Sequence, residues 1–401
     1  MDIKGLQKGR GWEYRVHRAV FLSGWYVRRG VNLRERVAGS PQTMAEVDVF
    51  AISFDAALEP YHLVGECKDR KGAAKEADRV VWLLGLEKLL KADHVLFAKP
   101  SISEATFTWA RPYEPLLWDE AAVQAIEKRY GLEADTGYGG SFNIALFEHT
   151  LLAERKLGSN HANLRRAWDY LSAAFWYSGN ASRAKRLPAY FKAVSEANGL
   201  SDLARDSFVA EGVIALLVAA ATTAGQLGRF SPARAEVAVT ESFASGVASS
   251  AALREIAARA DDFYRDALVK ATRTRQQGAK AVEVPRLAEH IAQPPAWLPD
   301  YLDLARQIGA RPQYATDVLR FADLLLFEQL IAGSPIPAPL LESIPSPGDE
   351  LLRLVQLCAL FLRRIWGVEA QLLDRLLAMP KANGDVMRDT SDKPRQMNLT
   401  E

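Results

Sequence analysis

Acidic and basic residues in the N-terminal part of the chain have the types and spacing of a hydrolytic site. Glu66 and Lys68 lie two residues apart in the segment YHLVGECK, and Asp48 lies in the middle of AEVDVFAI. Because successive side chains of a strand point to opposite faces, Glu66 and Lys68 are predicted to share one face. An acid in the middle of a strand, such as Asp48, is disfavoured unless it has a partner or a task.

These residue types can support metal-assisted hydrolysis of a phosphodiester. Carboxylates on two adjacent strands can hold Mg²⁺ or Mn²⁺, which completes its shell with water and substrate phosphate. The metal would neutralise charge that develops on the phosphate, and a lysine beside it can orient or help deprotonate the attacking water. The alternative is an ordinary solvated charge pair, since the segment Glu154-Arg155-Lys156 matches Glu-x-Lys in helical sequence. Because Glu66 and Lys68 lie in a predicted strand rather than a helix, the interpretation as a hydrolytic site is favoured for them.

The segments around these residues alternate between helical and extended patterns. Helices are predicted at 12–23, 73–90 and 119–130, and strands at 25–33, 45–54, 60–68 and 94–98. In chain order this is α-β-β-β-α-β-α, which predicts an α/β domain with a mixed central sheet flanked by helices.

The chain resembles the PD-(D/E)xK nuclease superfamily, closest to its Mrr-like restriction endonuclease branch, in the segments GRGWEYRVHRAVFLSGWYVRRG, AEVDVFAI and YHLVGECKDRKG. The resemblance covers about residues 5 to 130 and includes the order of the elements. It implies a restriction-endonuclease-like fold in which Asp48 and Glu66 bind the metal and Lys68 is the catalytic lysine. It also implies that Glu13 is a helix-borne acid that supports the metal site or its water shell.

Two further features bear on this resemblance. Glu46 matches a Glu-x-Asp form that recurs in the family, so it is a candidate to line the site, although a salt bridge is the favoured interpretation. Some Mrr-like members carry a glutamine in the helix after the lysine, where this chain has Lys75, Glu76 and Asp78. This departure concerns the fine structure of the site rather than its three core residues.

Basic residues surround the candidate site in the sequence. The first 36 residues contain nine lysines and arginines against three acids. A patch of this kind binds phosphates with an affinity that falls as the salt concentration rises. For any single residue, an ordinary solvated side chain is an equally good interpretation. The candidates for contact with nucleic acid are Arg10, Arg28, Arg29, Arg70, Lys71 and Lys75.

The whole chain has the composition of a globular protein. It has 401 residues, of which 49% are hydrophobic and 25% charged, and a formal net charge of +1. This balance excludes a disordered chain, a collagen-like repeat and a protein that coats nucleic acid by charge alone. Two cysteines, and an N-terminus without a signal-peptide pattern, predict a cytoplasmic location. The longest apolar run, 213–221, falls short of the ~20 residues that span a bilayer, so it predicts a buried helix and no membrane contact.

Shifts in composition divide the chain into regions. A glycine cluster at 131–143 and a proline-rich stretch at 334–348 are predicted to be linkers. The pattern between and after them is almost wholly helical, and the polar end of the chain is predicted to be disordered. The predicted parts are a nuclease-like domain at 1–130, an all-α region with a helical domain at 144–333 and C-terminal helices at 349–379, and a tail at 380–401.

Together these patterns predict a Mg²⁺-dependent endonuclease that acts on DNA. Its helical region would serve regulation, formation of a homo-oligomer or docking to a partner protein, and double-strand cleavage would need two sites. By analogy with Mrr-like enzymes, a role in defence against foreign DNA is expected. A repair or recombination nuclease, or a ribonuclease of the same fold, is the first alternative. A non-catalytic scaffold that binds nucleic acid or protein is the second.

Overall fold

A computed structural model of the protein describes residues 10–37, 40–69, 75–134, 137–157, 161–177, 181–245, 250–273 and 293–380. The N-terminal part is an α/β unit and the C-terminal part is mostly helical, as the sequence predicts. The helices of the α/β unit are α1 (Arg10–Leu22), α2 (Glu76–Leu90), α3 (Glu104–Ala110) and α4 (Glu120–Arg129). Its strands are β1 (Tyr26–Val37), β2 (Ser40–Phe54), β3 (Pro60–Cys67), β4 (His94–Ala98) and β5 (Leu116–Trp118).

Within the described residues, the strands form one mixed sheet in the order β1-β2-β3-β4-β5. Strands β1, β2 and β3 pair in antiparallel fashion, whereas β3, β4 and β5 pair in parallel. Parallel neighbours need a crossover connection, which α2 and α3 supply. The predicted order α-β-β-β-α-β-α is confirmed. The elements α3 and β5 were not predicted. Strand β5 has only three residues, which are too few to show a strand period in the sequence.

Local sequence explains which residues of the α/β unit are buried. In α1, Trp12, Val16 and Val20 recur at helical spacing and are all buried. Strand β4 has the sequence HVLFA and lies between two other strands, and every residue after His94 is buried. A continuous apolar run is typical of such a parallel strand that is covered on both faces.

The helical region is built from a succession of helices around one long apolar member. These helices are α5 (Ile144–Lys156), α6 (Ala162–Asp169), α7 (Phe175–Tyr177), α8 (Leu187–Glu196), α9 (Asp202–Gly228), α10 (Pro232–Ser245), α11 (Ser250–Arg273), α12 (Leu298–Gly309), α13 (Ala315–Asp323), α14 (Ala338–Glu342), α15 (Gly348–Arg364) and α16 (Gln371–Ala378), with π-helical turns at Tyr170–Ala174 and Leu324–Ile331. Helix α9 is long and apolar enough to cross a membrane, but its most apolar segment is wholly buried inside the molecule. The prediction of a buried helix at 213–221 is therefore confirmed.

The segment 131–143, predicted to be a linker, is packed into the molecule over its described residues. Phe142 is buried, and the hydroxyl of Tyr14 in α1 donates a hydrogen bond to its carbonyl oxygen. The backbone N–H of Ser141 donates to the carboxylate of Asp323 at the end of α13, at 3.0 Å. Gly140 lets the backbone approach this carboxylate, because a Cβ at its position would collide with Asp323.

The proline-rich stretch 334–348 is also packed rather than free. It contains α14, in which Leu340 is buried, and the hydroxyl of Ser343 accepts a hydrogen bond from Arg320 at 2.8 Å. Buried side chains extend from the α/β unit into the helical region as one cluster. The predicted domains therefore share a core. Of the predicted tail, residues 381–401 lie outside the described part.

Candidate active site at the ends of strands β2 and β3

The register of β2 against β3 brings Asp48 and Glu66 together. The two strands are antiparallel, and their pairing ends with Val49 opposite Gly65, so Asp48 and Glu66 both lie directly beyond this last pair. Opposite residues of an antiparallel pair project to the same face, which places both carboxylates on one side of the sheet. Lys68 follows directly after β3, and its backbone N–H donates to the carbonyl oxygen of Ala98 in β4 at 2.9 Å.

Three side chains converge at this point. The ammonium of Lys68 lies 2.6 Å from Oε1 of Glu66 and 3.8 Å from Oδ2 of Asp48. The same Oδ2 accepts a hydrogen bond from the backbone N–H of Cys67 at 2.8 Å, which orients the Asp48 carboxylate. Glu66 is almost buried, with its side chain 4% exposed, whereas Asp48 and Lys68 are partly exposed. The cluster is therefore anchored in the sheet and open to solvent on one side.

Helix α1 is joined to β2 beside this cluster through a buried histidine. His17 is buried, with Nδ1 2.6 Å from the carbonyl oxygen of Glu13 and Nε2 3.0 Å from the carbonyl oxygen of Asp48. The imidazole thus spans from α1 to β2. The pKa of the Cys67 thiol is raised well above its usual range, first by desolvation and then by the negative charges of Asp48 and Glu13. The negative charge of Glu13 thus contributes to the electrostatic field at the end of β3.

Helix α2 adds a further cation, one of the basic residues that follow Lys68 in the sequence. The guanidinium of Arg79 lies 3.3 Å from Oε1 of Glu66, the same oxygen that contacts Lys68. The neighbouring polar residues at the start of α2 do not supply this contact. Lys75 and Asp78 are exposed, and Glu76 is buried in a different set of hydrogen bonds. The sequence predicts a helix after Lys68, but no local pattern indicates that an arginine of this helix contacts Glu66.

The donor atoms suit a hard divalent cation such as Mg²⁺ or Mn²⁺. Among the described residues, no group of three or more His, Cys, Asp or Glu side chains is arranged to hold a metal. Asp48 and Glu66 offer two carboxylates, and Mg²⁺ is typically bound by one or two carboxylates with water and substrate phosphate completing its shell. Glu66 also carries a buried negative charge that requires a cationic partner, and two cations share it here. The residues present therefore fit such an ion.

The accessory candidate Glu46 lies further along β2. It is exposed and is paired with Asn32 of β1, beyond the point where the pairing of β2 with β3 ends at Val49. Its backbone is two residues from Asp48, so both side chains start from the same face of the strand. The structure thus places Glu46 two residues further along β2 from Asp48, in the part of the strand that pairs with β1.

The predicted contacts with nucleic acid have different outcomes. Arg28 is buried, forms an ion pair with Glu211 of α9, and lies 4.3 Å from the ring of Trp176. It is therefore part of the core, and its assignment as a phosphate contact is corrected. Lys75 is exposed at the start of α2. Arg70 and Lys71 lie outside the described residues, as do the side chains of Arg10 and Arg29.

No protein-family model, curated protein or solved structure matches this chain. Its function is therefore inferred from the geometry of Asp48, Glu66 and Lys68 and from the chemistry that such a cluster can perform.

Proposed function

We propose that this protein is a metal-dependent endonuclease that hydrolyses phosphodiester bonds of DNA, with the restriction-endonuclease-like fold that its sequence resembles. The observation that carries the proposal is the convergence of one amine and two carboxylates at the ends of β2 and β3. The ammonium of Lys68 lies 2.6 Å from Glu66 and 3.8 Å from Asp48, on a side of the sheet that is open to solvent. A charge pair of purely structural origin would not require the second carboxylate.

The residues of the site have distinct roles in this proposal. Mg²⁺ held by Asp48 and Glu66 would neutralise charge on the scissile phosphate and lower the pKa of a bound water. Lys68 would orient the attacking water by hydrogen bonding. Glu13 would orient the outer water shell from α1. His17 contacts the backbone of both Glu13 and Asp48, so it holds α1 against β2.

The proposed reaction is an in-line displacement at phosphorus. A water oxygen forms the new bond to phosphorus while the bond from phosphorus to the sugar O3′ breaks. The water proton passes to solvent, and the leaving oxygen takes a proton from solvent. The family resemblance implies that the products carry a 5′-phosphate and a 3′-hydroxyl.

The helical region is proposed to regulate this activity or to bring two copies together, since cleavage of both strands needs two sites. Within the family resemblance, defence against foreign DNA in the cytoplasm is the proposed setting. The common core of the two regions supports such a role, because a change in the helical region can reach the sheet through direct packing.

The test is Mg²⁺-dependent nicking of supercoiled DNA by the purified full-length protein. We expect the wild type to nick, and Lys68→Ala and Asp48→Ala to lose at least about 100-fold in rate, since each removes a group that acts on the water or the metal. The matched control is Lys88→Ala, which removes an 82% exposed lysine of α2 and should keep the wild-type rate. Circular dichroism and melting temperature establish that each variant is folded.

Equal trace activity in the wild type and both site variants would contradict the proposal and leave the non-catalytic binding scaffold. Branched DNA, single-stranded DNA and RNA are assayed in parallel. Preference for branched DNA would identify a repair or recombination nuclease, and cleavage of RNA alone would identify a ribonuclease.

A further inference from the structure

Arg79 occupies a position in the candidate site that the proposed mechanism does not yet use. Its guanidinium lies 3.3 Å from Oε1 of Glu66, and its side chain is 45% exposed. Its backbone N–H donates to the carbonyl oxygen of Lys75 at 3.1 Å, so the residue lies in the first turn of α2. The charged end of this side chain therefore lies between the buried carboxylate and solvent.

The start of α2 is held firmly against the sheet. The carboxylate of Glu76 is buried and forms an ion pair with Lys99, which follows β4. It also accepts hydrogen bonds from the hydroxyls of Ser103 at 2.8 Å and Thr106 at 2.7 Å. These contacts fix the turn that carries Arg79, so the approach of the guanidinium to Glu66 is built into the fold.

Two cationic side chains already contact Glu66, so a metal ion would have to compete with them for its carboxylate. Lys68 and Arg79 both approach Oε1, at 2.6 Å and 3.3 Å, and this oxygen belongs to an almost buried carboxylate. A divalent cation bound to Glu66 would repel both side chains at close range. Lys68 is confined by the end of β3, whereas the long and half-exposed Arg79 can turn towards solvent.

We propose that Arg79 binds the scissile phosphate and exchanges partners with the metal. In the metal-free protein it neutralises Glu66, and when the metal binds Glu66, the guanidinium turns to a non-bridging phosphate oxygen of DNA. Arginine suits this task because its planar guanidinium can bind phosphate through two hydrogen bonds. This inference rests on the proposed nuclease function and deepens it, since it couples metal binding to DNA binding.

The coupling has a consequence that a structural salt bridge would not have. In protein without DNA, the metal must displace Arg79 from Glu66, so Arg79 weakens metal binding. Replacement by alanine removes this competitor, and we expect Mn²⁺ to bind roughly 5- to 10-fold more tightly. The same replacement removes a phosphate contact, so we expect the KM for DNA at saturating Mg²⁺ to rise by about 10-fold or more.

The experiment measures both quantities on the full-length protein. Isothermal titration calorimetry with MnCl₂ gives the metal affinity without DNA, and cleavage kinetics give KM and kcat. Arg79→Lys should keep metal affinity near that of the wild type, because the charge remains, while the KM for DNA stays raised because the two-bond geometry is lost. Arg259→Ala, which removes a 78% exposed arginine of α11, is the control and should change neither quantity.

The inference is overturned if Arg79→Ala binds Mn²⁺ as the wild type does or more weakly, or if its KM for DNA is unchanged. In those cases a wild type that binds Mn²⁺ and cleaves DNA would leave the proposed function standing. A wild type that neither binds Mn²⁺ nor cleaves would end the proposed function and this inference together. Arg79→Lys, which keeps a positive charge beside the Glu66 carboxylate, is the second variant should Arg79→Ala fail to fold.

Discussion

Gly65 shows how closely the backbone must approach for the site residues to meet. It lies directly before Glu66 in β3 and opposite Val49 in β2. A Cβ at this position would lie 3.1 Å from Cβ of Val49 and 3.2 Å from Cβ of Leu96, which belong to the strands on either side. The absence of a side chain therefore lets β2 and β4 close on β3 at the level of the candidate site.

We predict that Gly65→Ala destabilises the protein by about 1–3 kcal/mol, because the added methyl group meets two strands that cannot both retreat. The measurement is the urea midpoint of unfolding. The control is Gly85→Ala in α2, where a Cβ would meet nothing within 4 Å. Alanine favours the helix, so the control should gain about 0.5–1 kcal/mol. Equal stability of Gly65→Ala and the wild type would show that the strands accommodate the methyl group.

At the scale of elements, helix α2 depends on the buried acid in its first turn. Burial alone would raise the pKa of Glu76. Hydrogen bonds from Lys99, Thr106 and Ser103 outweigh burial and lower its pKa to about 2. The ionised form is thus the form that anchors α2 to the end of β4, and Arg79 owes its place beside Glu66 to this anchor.

We predict that this anchor weakens in acid. The usual pKa of a glutamate is 4.5, so ionised Glu76 stabilises the fold fully above about pH 4.5 and loses this effect as the pH falls towards 2. The difference between the two pKa values corresponds to about 3 kcal/mol. The stability gap between wild type and Glu76→Gln should therefore be largest at pH 7 and narrow between pH 4.5 and pH 3 in urea unfolding. Asp78→Asn, an exposed acid of the same turn, is the control. A gap that is independent of pH would contradict the prediction.

At the scale of the whole molecule, one ion pair joins the sheet to the central helix of the other region. Arg28 of β1 contacts Glu211 of α9, and the side chains are only 10% and 12% exposed. Arg28 also lies over the ring of Trp176 at 4.3 Å. Because this contact is buried in the common core, the α/β unit and the helical region are expected to unfold together.

We predict strong coupling between these two residues. Arg28→Met leaves the Glu211 carboxylate buried without its partner and should cost about 3–5 kcal/mol, and Glu211→Leu should cost a similar amount. The double variant replaces both charges by apolar groups and should cost much less than the sum. Urea unfolding of the four proteins measures this coupling. Additive effects would show that the pair does not link the two regions energetically.

The sequence by itself determined the features that depend on local periodicity. Alternation along a strand places Glu66 and Lys68 on one face, and the order of helical and extended segments predicts the α/β unit. The long apolar run at 213–221 predicts a buried helix, which α9 contains. Each of these follows from the backbone geometry of a single element, so neighbouring residues are sufficient to reveal it.

Only the tertiary structure decided which side chains meet across elements. Arg28 has the same local pattern as a surface arginine, but its partner Glu211 lies far away in the chain and takes it into the core. Arg79 reaches Glu66 because α2 is anchored at one particular angle to the sheet. The glycine cluster at 131–143 resembles a flexible linker, but Gly139 and Gly140 lie in close contact with the carboxylates of Glu328 and Asp323. Such contacts depend on distances between residues remote in sequence, which no local pattern records.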